Sequence, residues 1–255
     1  MAKKLIVANW KMNPETPREA KEILTPVKKI AQNLKRVTTV LCPPALFLPL
    51  AVGAKPSEKV AVGGQDCFGE ISGAYTGKIS PTQLYYAGAR YLILGHSESR
   101  AAGDTDAAIN HKLRLALKAG LKVILCIGEH QRDEAGQYLQ FIKQQLEEDL
   151  KNVQRKFANQ LIVAYEPVWA IGIAASGPDN PESFHHQSIY IRKIVASFLG
   201  KEAAMDLPIL YGGSVTSKTA EAFLKAGEAD GLLVGRASLD PAEFGKILKI
   251  AEAVK

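Results

Sequence analysis

Polar side chains able to carry acid–base chemistry stand directly after short apolar runs of this sequence. Asn9 and Lys11 follow the first run, His96 follows the fourth, and Glu166 follows the sixth. Glu166 could accept a proton, while His96 could donate a hydrogen bond to a developing oxyanion. Lys11 could supply a positive charge and Asn9 an amide donor. A base with oxyanion stabilisers, without metal or cofactor, is typical of proton abstraction next to a carbonyl group.

Glycines and small polar residues follow the last two apolar runs. Gly212, Gly213 and Ser214 come after the seventh run, and Gly235 and Arg236 come after the eighth. Backbone N–H groups in such segments can approach an anion closely, and loops at this position often bind phosphate. An ordinary turn is the alternative for so short a glycine motif.

Each of the acid–base candidates also has a purely structural alternative. Lys11 could be a solvated lysine, and His96 beside Gly95 could be a core histidine with satisfied hydrogen bonds. Glu166 lies in the apolar stretch Ala164–Trp169, where a carboxylate is costly to bury unless it is paired or functional. Further polar residues at the ends of apolar runs have no assigned role; they are Gln65, Asp66, Ser97, Glu98 and Glu129.

The eight apolar runs predict the elements that position these side chains. They cover Leu5–Asn9, Thr38–Cys42, Val60–Gly63, Tyr91–Gly95, Lys122–Ile127, Leu161–Tyr165, Pro208–Tyr211 and Gly231–Val234. The runs are continuously apolar rather than alternating, which is typical of parallel strands covered on both faces.

Helical patterns separate the strands. They cover Thr16–Asn33, Asp104–Ala119, Asp133–Ala158, Pro181–Leu199, Ser217–Ala226 and Pro241–Val254. Thr16 before Pro17 and Glu19 predicts a capped helix start, and Pro26 is expected to kink or interrupt that helix.

Eight strands alternating with helices predict an α/β fold, a single closed (β/α)8 barrel with eight parallel strands, and one domain over residues 1–255. A doubly wound open sheet is the alternative, weakened because no G-x-G-x-x-G follows the first strand. In a closed barrel the carboxyl ends of the strands share one rim, so residues as distant in sequence as Asn9 and Glu166 could meet there.

Cysteines and histidines do not suggest a metal or disulfide framework. Cys42, Cys67 and Cys126 lie far apart in apolar runs, so we expect buried, reduced thiols and a cytoplasmic location. The adjacent His185 and His186 lack a metal-ligand spacing and predict a solvated helix face. The first apolar run is too short for a secretion signal, and no run is long enough for a membrane helix.

The charge balance of the chain leaves several kinds of partner open. The 32 Lys and Arg residues exceed the 26 Asp and Glu residues, giving a net charge of +6. Such an excess could favour nucleic acid, an anionic substrate or solubility alone. The basic residues are dispersed and no nucleic-acid-reading motif appears, so neither nucleic acid nor membrane is expected as a partner.

Longer motifs in the same order give the chain a resemblance to the triosephosphate isomerase family. They are residues 8–13 (ANWKMN), 72–77 (SGAYTG), 95–98 (GHSE), 126–129 (CIGE), 164–172 (AYEPVWAIG) and 211–215 (YGGSV). These motifs extend along the whole chain. The resemblance implies a TIM barrel that interconverts dihydroxyacetone phosphate and D-glyceraldehyde 3-phosphate in glycolysis and gluconeogenesis.

The resemblance also implies roles for individual residues. Glu166 would be the base, His96 the neutral electrophile, and Lys11 and Asn9 would bind substrate and stabilise the enediolate. The backbone amides that would hold the phosphate belong to Gly172, Ser214, Gly235 and Arg236. The stretch from Pro167 onward would form a lid, and no metal or cofactor would take part.

The resemblance further implies a homodimer in which the loop around Thr76 reaches into the partner's site. Four features depart from the family. Lys78 stands where an acid is usual and Ser99 where an arginine is usual, and the usual double glycine after the last strand is Gly235-Arg236. The residues after Gly172 also differ from the family's lid sequence.

Two other functions remain open for such a barrel. Another phosphosugar isomerase or synthase with a larger substrate would need wider loops after the late strands and a base at another position. A catalytically silent barrel could serve as an interaction scaffold, although the set of Asn9, Lys11, His96 and Glu166 is intact.

Overall fold

A computed structural model of the chain describes residues 3–53, 59–133, 135–170 and 179–254. In these residues eight parallel strands form a closed barrel in which sequence neighbours pair and the last strand pairs with the first. The strands are β1 (Lys4–Asn9), β2 (Val37–Cys42), β3 (Val60–Gly64), β4 (Tyr91–Leu94), β5 (Lys122–Ile127), β6 (Leu161–Tyr165), β7 (Ile209–Tyr211) and β8 (Gly231–Val234). All eight predicted strands are confirmed, with bounds that differ by at most one residue.

Helices follow the strands and cover the outside of the barrel. They are α1 (Pro17–Ala31), α2 (Leu48–Val52), α3 (Pro81–Tyr86), α4 (Ser97–Ala101), α5 (Asp106–Lys118), α6 (Gln137–Asp149), α7 (Pro181–Leu199), α8 (Lys201–Asp206), α9 (Ala220–Lys225) and α10 (Pro241–Ala253). Short 3₁₀ turns cover Ala45–Phe47, Arg155–Gln160, Val168–Ala170 and Arg236–Leu239. None of the helices in the described ranges has the length and apolar character needed to cross a membrane.

Alternate strand residues fill two separate apolar layers. Val7, Val40, Ile124 and Leu210 belong to a cluster made of strand residues alone, which fills the barrel interior. Their neighbours along the strands, such as Ile6, pack outward against the helices in a second, larger cluster. Because both faces are buried, the strands need apolar residues at every position, as the sequence pattern indicates.

The parallel register brings the carboxyl ends of the strands to one rim. Asn9 is paired with Cys42 at the ends of β1 and β2, and Tyr165 is paired with both Ile127 and Tyr211. The polar residues that follow these strands therefore start from the same end of the barrel.

Helix α1 confirms the predicted start and is not interrupted at Pro26. The hydroxyl of Thr16 accepts a hydrogen bond from the amide of Glu19, whose carboxylate accepts one from the amide of Thr16. This reciprocal cap satisfies two amides that a helix start would leave unpaired. The helix continues through Pro26 to Ala31 without interruption, because the buried face on either side of the proline packs against the barrel.

The predicted helix over 133–158 is too long at both ends. The carboxylate of Asp133 accepts hydrogen bonds from the amides of Gln137 and Tyr138, so it caps α6 from outside instead of opening it. At the other end Asn152 has a φ of 60°, a left-handed conformation that a helix cannot continue through. The pattern missed four short helices, α2, α3, α4 and α8, each of which has too few turns to show a period.

Candidate active site

The four acid–base candidates lie at the same rim of the barrel. Asn9 ends β1 and Lys11 follows it, while His96 stands between β4 and α4 and Glu166 follows β6. Glu166 is 2% exposed and His96 is 8% exposed, so both lie in a largely water-free setting. Their proximity comes from the parallel strand register, because β4 and β6 pair with the two sides of β5 and end at the same rim.

Glu166 contacts the loop after β4 through both carboxylate oxygens. Oε1 lies 3.3 Å from Nε2 of His96, and Oε2 accepts a hydrogen bond of 3.1 Å from the amide of Ser97. The carboxylate is therefore buried with partners, which removes the cost of leaving it unpaired.

The hydrogen bonding of His96 determines its tautomer. Its Nδ1 accepts a hydrogen bond of 3.2 Å from the amide of Glu98. A backbone amide can only donate, so Nδ1 carries no proton and a neutral His96 carries its proton on Nε2. Nε2, the nitrogen that faces Glu166 and the rim, is therefore a hydrogen-bond donor.

Lys11 is held in an unusual backbone conformation with a φ of 55°. Its amide donates to Oδ1 of Asn9 at 3.1 Å, and its carbonyl accepts from Nε2 of Gln65 at 2.8 Å. Gln65 also donates to the carbonyl of Cys42 at 2.9 Å. Strain in the left-handed region is retained where surrounding contacts fix it, and these contacts direct the ammonium group to Glu98 at 2.6 Å.

Gly212 has no side chain, and the side chain of Glu166 occupies the space that one would need. A β-carbon added at Gly212 would lie 2.8 Å from Cγ of Glu166, closer than side-chain carbons approach. The glycine motif after β7 thus has a packing role next to the candidate base. The next glycine, Gly213, is needed as well, because a β-carbon there would lie 2.2 Å from the hydroxyl of Tyr211.

The loops that carry Ser214, Gly235 and Arg236 follow the paired strands β7 and β8. The hydroxyl of Ser214 donates to the carbonyl of Ala170 at 3.0 Å, which joins the loop after β7 to the segment after Glu166. A β-carbon added at Gly235 would lie 3.5 Å from Cε of Lys11, so the loop after β8 borders the lysine. Arg236 is exposed. Gly172 lies outside the described residues.

A buried carboxylate supports the segments on both sides of Glu166. Glu129, 1% exposed, accepts hydrogen bonds from the hydroxyl of Tyr165 at 2.8 Å and from Nε1 of Trp169 at 2.8 Å. Nε of Arg132 donates to the same carboxylate at 3.1 Å. Burial, and then the charge of Glu129, raise the pKa of the Tyr165 hydroxyl, so it stays protonated and donates.

Several supporting residues gain roles that the sequence did not assign. Glu98 and Gln65 were noted at strand ends, but their contacts with Lys11 cross from one loop to another, so no local pattern indicates them. Arg132 was not noted at all. In the sequence, only its position three residues after Glu129 indicates that the two side chains could pair.

The cysteine prediction is confirmed, and the histidine prediction holds for one of two residues. Cys42, Cys67 and Cys126 are free, buried thiols, and burial raises the pKa of Cys67 to about 12. His186 is exposed, whereas His185 is half-buried, with Nδ1 3.7 Å from a Glu228 oxygen. No group of three metal-ligating side chains is arranged for an ion in the described ranges.

The arrangement provides a buried carboxylate base, an imidazole donor beside it and an ammonium group at the same rim. This set can remove a proton from carbon and stabilise the oxyanion that forms on the adjacent oxygen. Backbone turns after β7 and β8 border the same space and can receive an anionic group.

Comparisons with known proteins agree with this geometry. The family model for triosephosphate isomerase matches residues 4–251. The chain is similar to a triosephosphate isomerase of Natranaerobius thermophilus, with 39% identity that covers 98% of this chain and 97% of the relative. It is also similar to triosephosphate isomerases of Fusobacterium nucleatum (38% identity; 98% and 99% covered) and Moorella thermoacetica (39% identity; 97% and 98% covered).

Proposed function

Because the chain belongs to the triosephosphate isomerase family and interconverts dihydroxyacetone phosphate and D-glyceraldehyde 3-phosphate, we propose that Glu166 is its base and His96 its electrophile. The observation that carries this assignment is the 3.3 Å approach of the Glu166 carboxylate to Nε2 of His96. The family is itself the standard example of a glutamate base that works with a neutral histidine.

In the proposed mechanism Glu166 takes a proton from the carbon next to the carbonyl group. The electron pair of the broken C–H bond forms a C=C bond, and the carbonyl oxygen becomes the enediolate oxygen. Nε2–H of His96 donates to that oxygen, and the ammonium group of Lys11 lowers the energy of its negative charge. Through Nε2, His96 then gives its proton to the enediolate oxygen and takes the hydroxyl proton from the adjacent oxygen. Return of the carbon-bound proton from Glu166 to the neighbouring carbon completes the isomerisation. Asn9 positions Lys11 through its amide contact.

The phosphate group of the substrate would lie against the loops after β7 and β8. Backbone amides of Ser214, Gly235 and Arg236 would donate to its oxygens, together with that of Gly172. The first amides of a helical turn lack partners within the turn, and the 3₁₀ turn Arg236–Leu239 begins at this place. Lys11 would add a charge at the same end of the site.

A homodimer is supported by an apolar surface that we call the loop patch. It combines side chains of the loops after the first three strands and of α3. They are Met12, Leu46, Ile71, Tyr75 and Tyr86, between 45% and 92% exposed. Exposed large apolar side chains on the loops of three neighbouring strands favour a protein–protein interface. Thr76, next to Tyr75, would reach the partner's site.

We further propose that residues 1–255 form one domain and that the enzyme works in the cytoplasm. The closed strand order β1 to β8 supports the first proposal. Three free cysteines, all buried, suit a reducing compartment and support the second.

Isotope exchange tests the assignment of the base directly. Turnover in D₂O should place deuterium on the product carbon that receives the proton from Glu166, because the carboxylic acid formed on Glu166 exchanges with solvent. Glu166→Gln should lose both turnover and deuterium incorporation. A Glu166→Gln enzyme that still exchanged the substrate proton at the parent's rate would show that another group is the base.

A further inference from the structure

Arg100 joins the carboxyl ends of two neighbouring strands behind the candidate site. It belongs to α4, and its side chain is 12% exposed. Its Nε donates to the carbonyl of Gly95 at 2.7 Å, and its Nη2 donates to the carbonyl of Cys126 at 3.2 Å. Gly95 directly precedes His96, so the guanidinium group of Arg100 holds the main chain immediately before the residue that carries the imidazole.

Gly95 allows this close contact. Its φ of 71° lies in the left-handed region, and an added β-carbon would lie 2.9 Å from both Nη2 of Arg100 and the carbonyl oxygen of Cys126. No side chain fits between the guanidinium group and the strand. The position of Arg100 is therefore transmitted directly to the peptide bond before His96.

Two carboxylates hold Arg100 in place. Nη1 pairs with Asp106 at the start of α5, and Nη2 donates to Oδ2 of Asp149 at 2.8 Å at the end of α6. Asp149 is fully buried, and its Oδ1 has no hydrogen-bond partner in the described part of the chain. Burying a carboxylate with an unpaired oxygen is costly, and the catalytic assignments above give Asp149 no role.

We propose that Arg100 is a positioning residue that sets the orientation of the His96 ring, and that Asp149 is the buried counter-ion that fixes Arg100. The proposal rests on the assignment of His96 as the electrophile. His96 has its Nδ1 fixed by the amide of Glu98, so a shift of the Gly95–His96 backbone turns Nε2 away from the reacting oxygen. Misplacement of a catalytic group by about 1 Å can cost about a hundredfold in rate.

The charges around Asp149 make this support sensitive to pH. The groups that act on its carboxyl are Arg100 on α4, Asp106 on α5 and Glu148 on α6, and Asn110 on α5 donates to its main-chain carbonyl. Burial raises the pKa of Asp149 to about 7, against the effect of Arg100. Its charge, and with it the restraint on Arg100, therefore changes near neutral pH.

Steady-state kinetics of Arg100→Gln and Arg100→Lys test the positioning role. For Arg100→Gln we expect kcat to fall about tenfold or more while KM stays within about threefold, because binding groups are untouched. Arg100→Lys keeps the charge and should recover part of the loss. Equal kcat values for the parent and a folded Arg100→Gln would overturn the proposal.

Arg192 provides a matched control at the other end of the barrel. Its guanidinium group also binds carbonyls, those of Ala204, Met205 and Leu207, and one carboxylate, Asp230, at 2.8 Å. Arg192→Gln should lower the melting temperature and leave kcat within about twofold of the parent. If it lowered kcat as much as Arg100→Gln does, the effect would be general destabilisation and the proposal would be wrong.

Nitrogen chemical shifts of ¹⁵N-labelled His96 give a readout independent of turnover. In the parent, Nδ1 should show the shift of an unprotonated nitrogen and Nε2 that of a protonated one. In Arg100→Gln the Nε2 shift should move, because the ring turns Nε2 away from Glu166, while Nδ1 keeps its hydrogen bond from the amide of Glu98. An unchanged Nε2 shift would contradict the positioning role. His96→Gln, assayed alongside, separates the two hypotheses: full activity there removes the electrophile assignment, whereas the shifts still report whether Arg100 orients the ring.

Asp149→Asn tests the counter-ion and does not depend on whether the arginine variants fold. It keeps the shape of the side chain and removes its titration. The pH profile of kcat for the parent should contain a step near neutral pH that the Asn variant lacks. Superimposable profiles would show that Asp149 does not control Arg100.

Discussion

Nε2 of His96 lies 3.3 Å from Oε1 of Glu166, a contact between the loops that follow β4 and β6. The same carboxylate accepts the amide hydrogen bond of Ser97 through Oε2. The loop after β4 thus carries the electrophile and also holds the carboxylate of the base. Activity and stability measured on the same preparation can therefore distinguish a catalytic effect of substituting either residue from an effect on the fold.

Glu166→Gln should remove most of the activity and leave the fold intact. The two side chains are nearly isosteric, but an amide cannot accept the substrate proton, and a positioned base contributes about 10²–10⁴-fold to the rate. Kinetic assays and thermal melts of the same preparation test this. Glu182→Gln, an exposed change on α7, is the control and should behave like the parent. Activity of Glu166→Gln within about threefold of the parent would contradict the assignment.

The loop patch predicts a dimer at micromolar concentration. Leu46→Asp combined with Tyr75→Asp should shift sedimentation toward the monomer, because two charges would have to be buried in the interface. Ile189→Asp is a matched control, since Ile189 is also exposed but lies on α7. A parent enzyme that sediments as a fully active monomer would contradict the interface and the role of Thr76 together.

The unusual residues at two expected interface positions should not prevent this dimer. Lys78 cannot form with Ser99 the ion pair that an acid and an arginine would form. An exposed ion pair is worth about 0–1 kcal/mol, so buried apolar area should matter more. Lys78 lies with its ammonium group 5.7 Å from the ring centre of Phe68 instead. Lys78→Ala should therefore leave the sedimentation coefficient unchanged.

The sequence was sufficient for the barrel because its strands are buried on both faces. A continuous apolar run such as Ile6–Ala8 contains no polar residue, so the ends of the strand can be predicted closely. Eight such runs define the topology. The short helices had no such signal. The end of α6 was missed because it depends on the backbone conformation of Asn152, a residue type that helices also tolerate.

The candidate site was only partly predictable for a related reason. Four residues of the site could be identified from the sequence because each is a polar residue at the end of a buried strand or just after it. They are Asn9, Lys11, His96 and Glu166. Their supporting residues depend on contacts between distant loops. Asp149 looks like an ordinary member of a charged, amphipathic helix, and only the packing of α6 against α5 shows that it is buried beside Arg100.

Asp149 should make the stability of the folded protein fall as pH rises from about 4 to about 7. Burial raises its pKa in the folded state to about 7, whereas the unfolded chain titrates near 4. In that window the unfolded state has lost the proton that the folded state keeps, so unfolding becomes easier with rising pH and the effect is constant above it. The full difference is on the order of 4 kcal/mol.

Thermal melts of the parent and Asp149→Asn between about pH 4 and 8 test this sign. The Asn variant cannot titrate, so its melting temperature relative to the parent should increase through the window and then stay level. Asp133→Asn is the comparison: the amide of Gln137, with that of Tyr138, lowers the Asp133 pKa, so the parent loses that contribution only as pH falls below about 4. Between about pH 4 and 8 the difference between Asp133→Asn and the parent should therefore stay level. A difference for Asp149→Asn that does not change with pH would contradict the prediction.

Arg236 is the departure from the family that bears most directly on substrate binding. Its side chain is exposed and has no hydrogen bond or ion pair among the residues that the structure describes. If backbone N–H groups hold the phosphate, the amide of Arg236 can point toward the anion while its guanidinium group points away. The alternative is a guanidinium group that binds the phosphate oxygens bidentately, as arginine often does.

Arg236→Gly and Arg236→Ala, assayed at two salt concentrations, decide between these arrangements. We expect KM to change by less than about threefold in both variants, because neither removes a backbone amide. A direct hydrogen bond to a charged group is worth about 1.5–3 kcal/mol, so its loss would weaken binding about tenfold or more. The loss of that charge would also reduce the dependence of KM on salt. A weakening of that size in both variants would show that the guanidinium group is itself a phosphate ligand, and that the backbone alone does not account for binding.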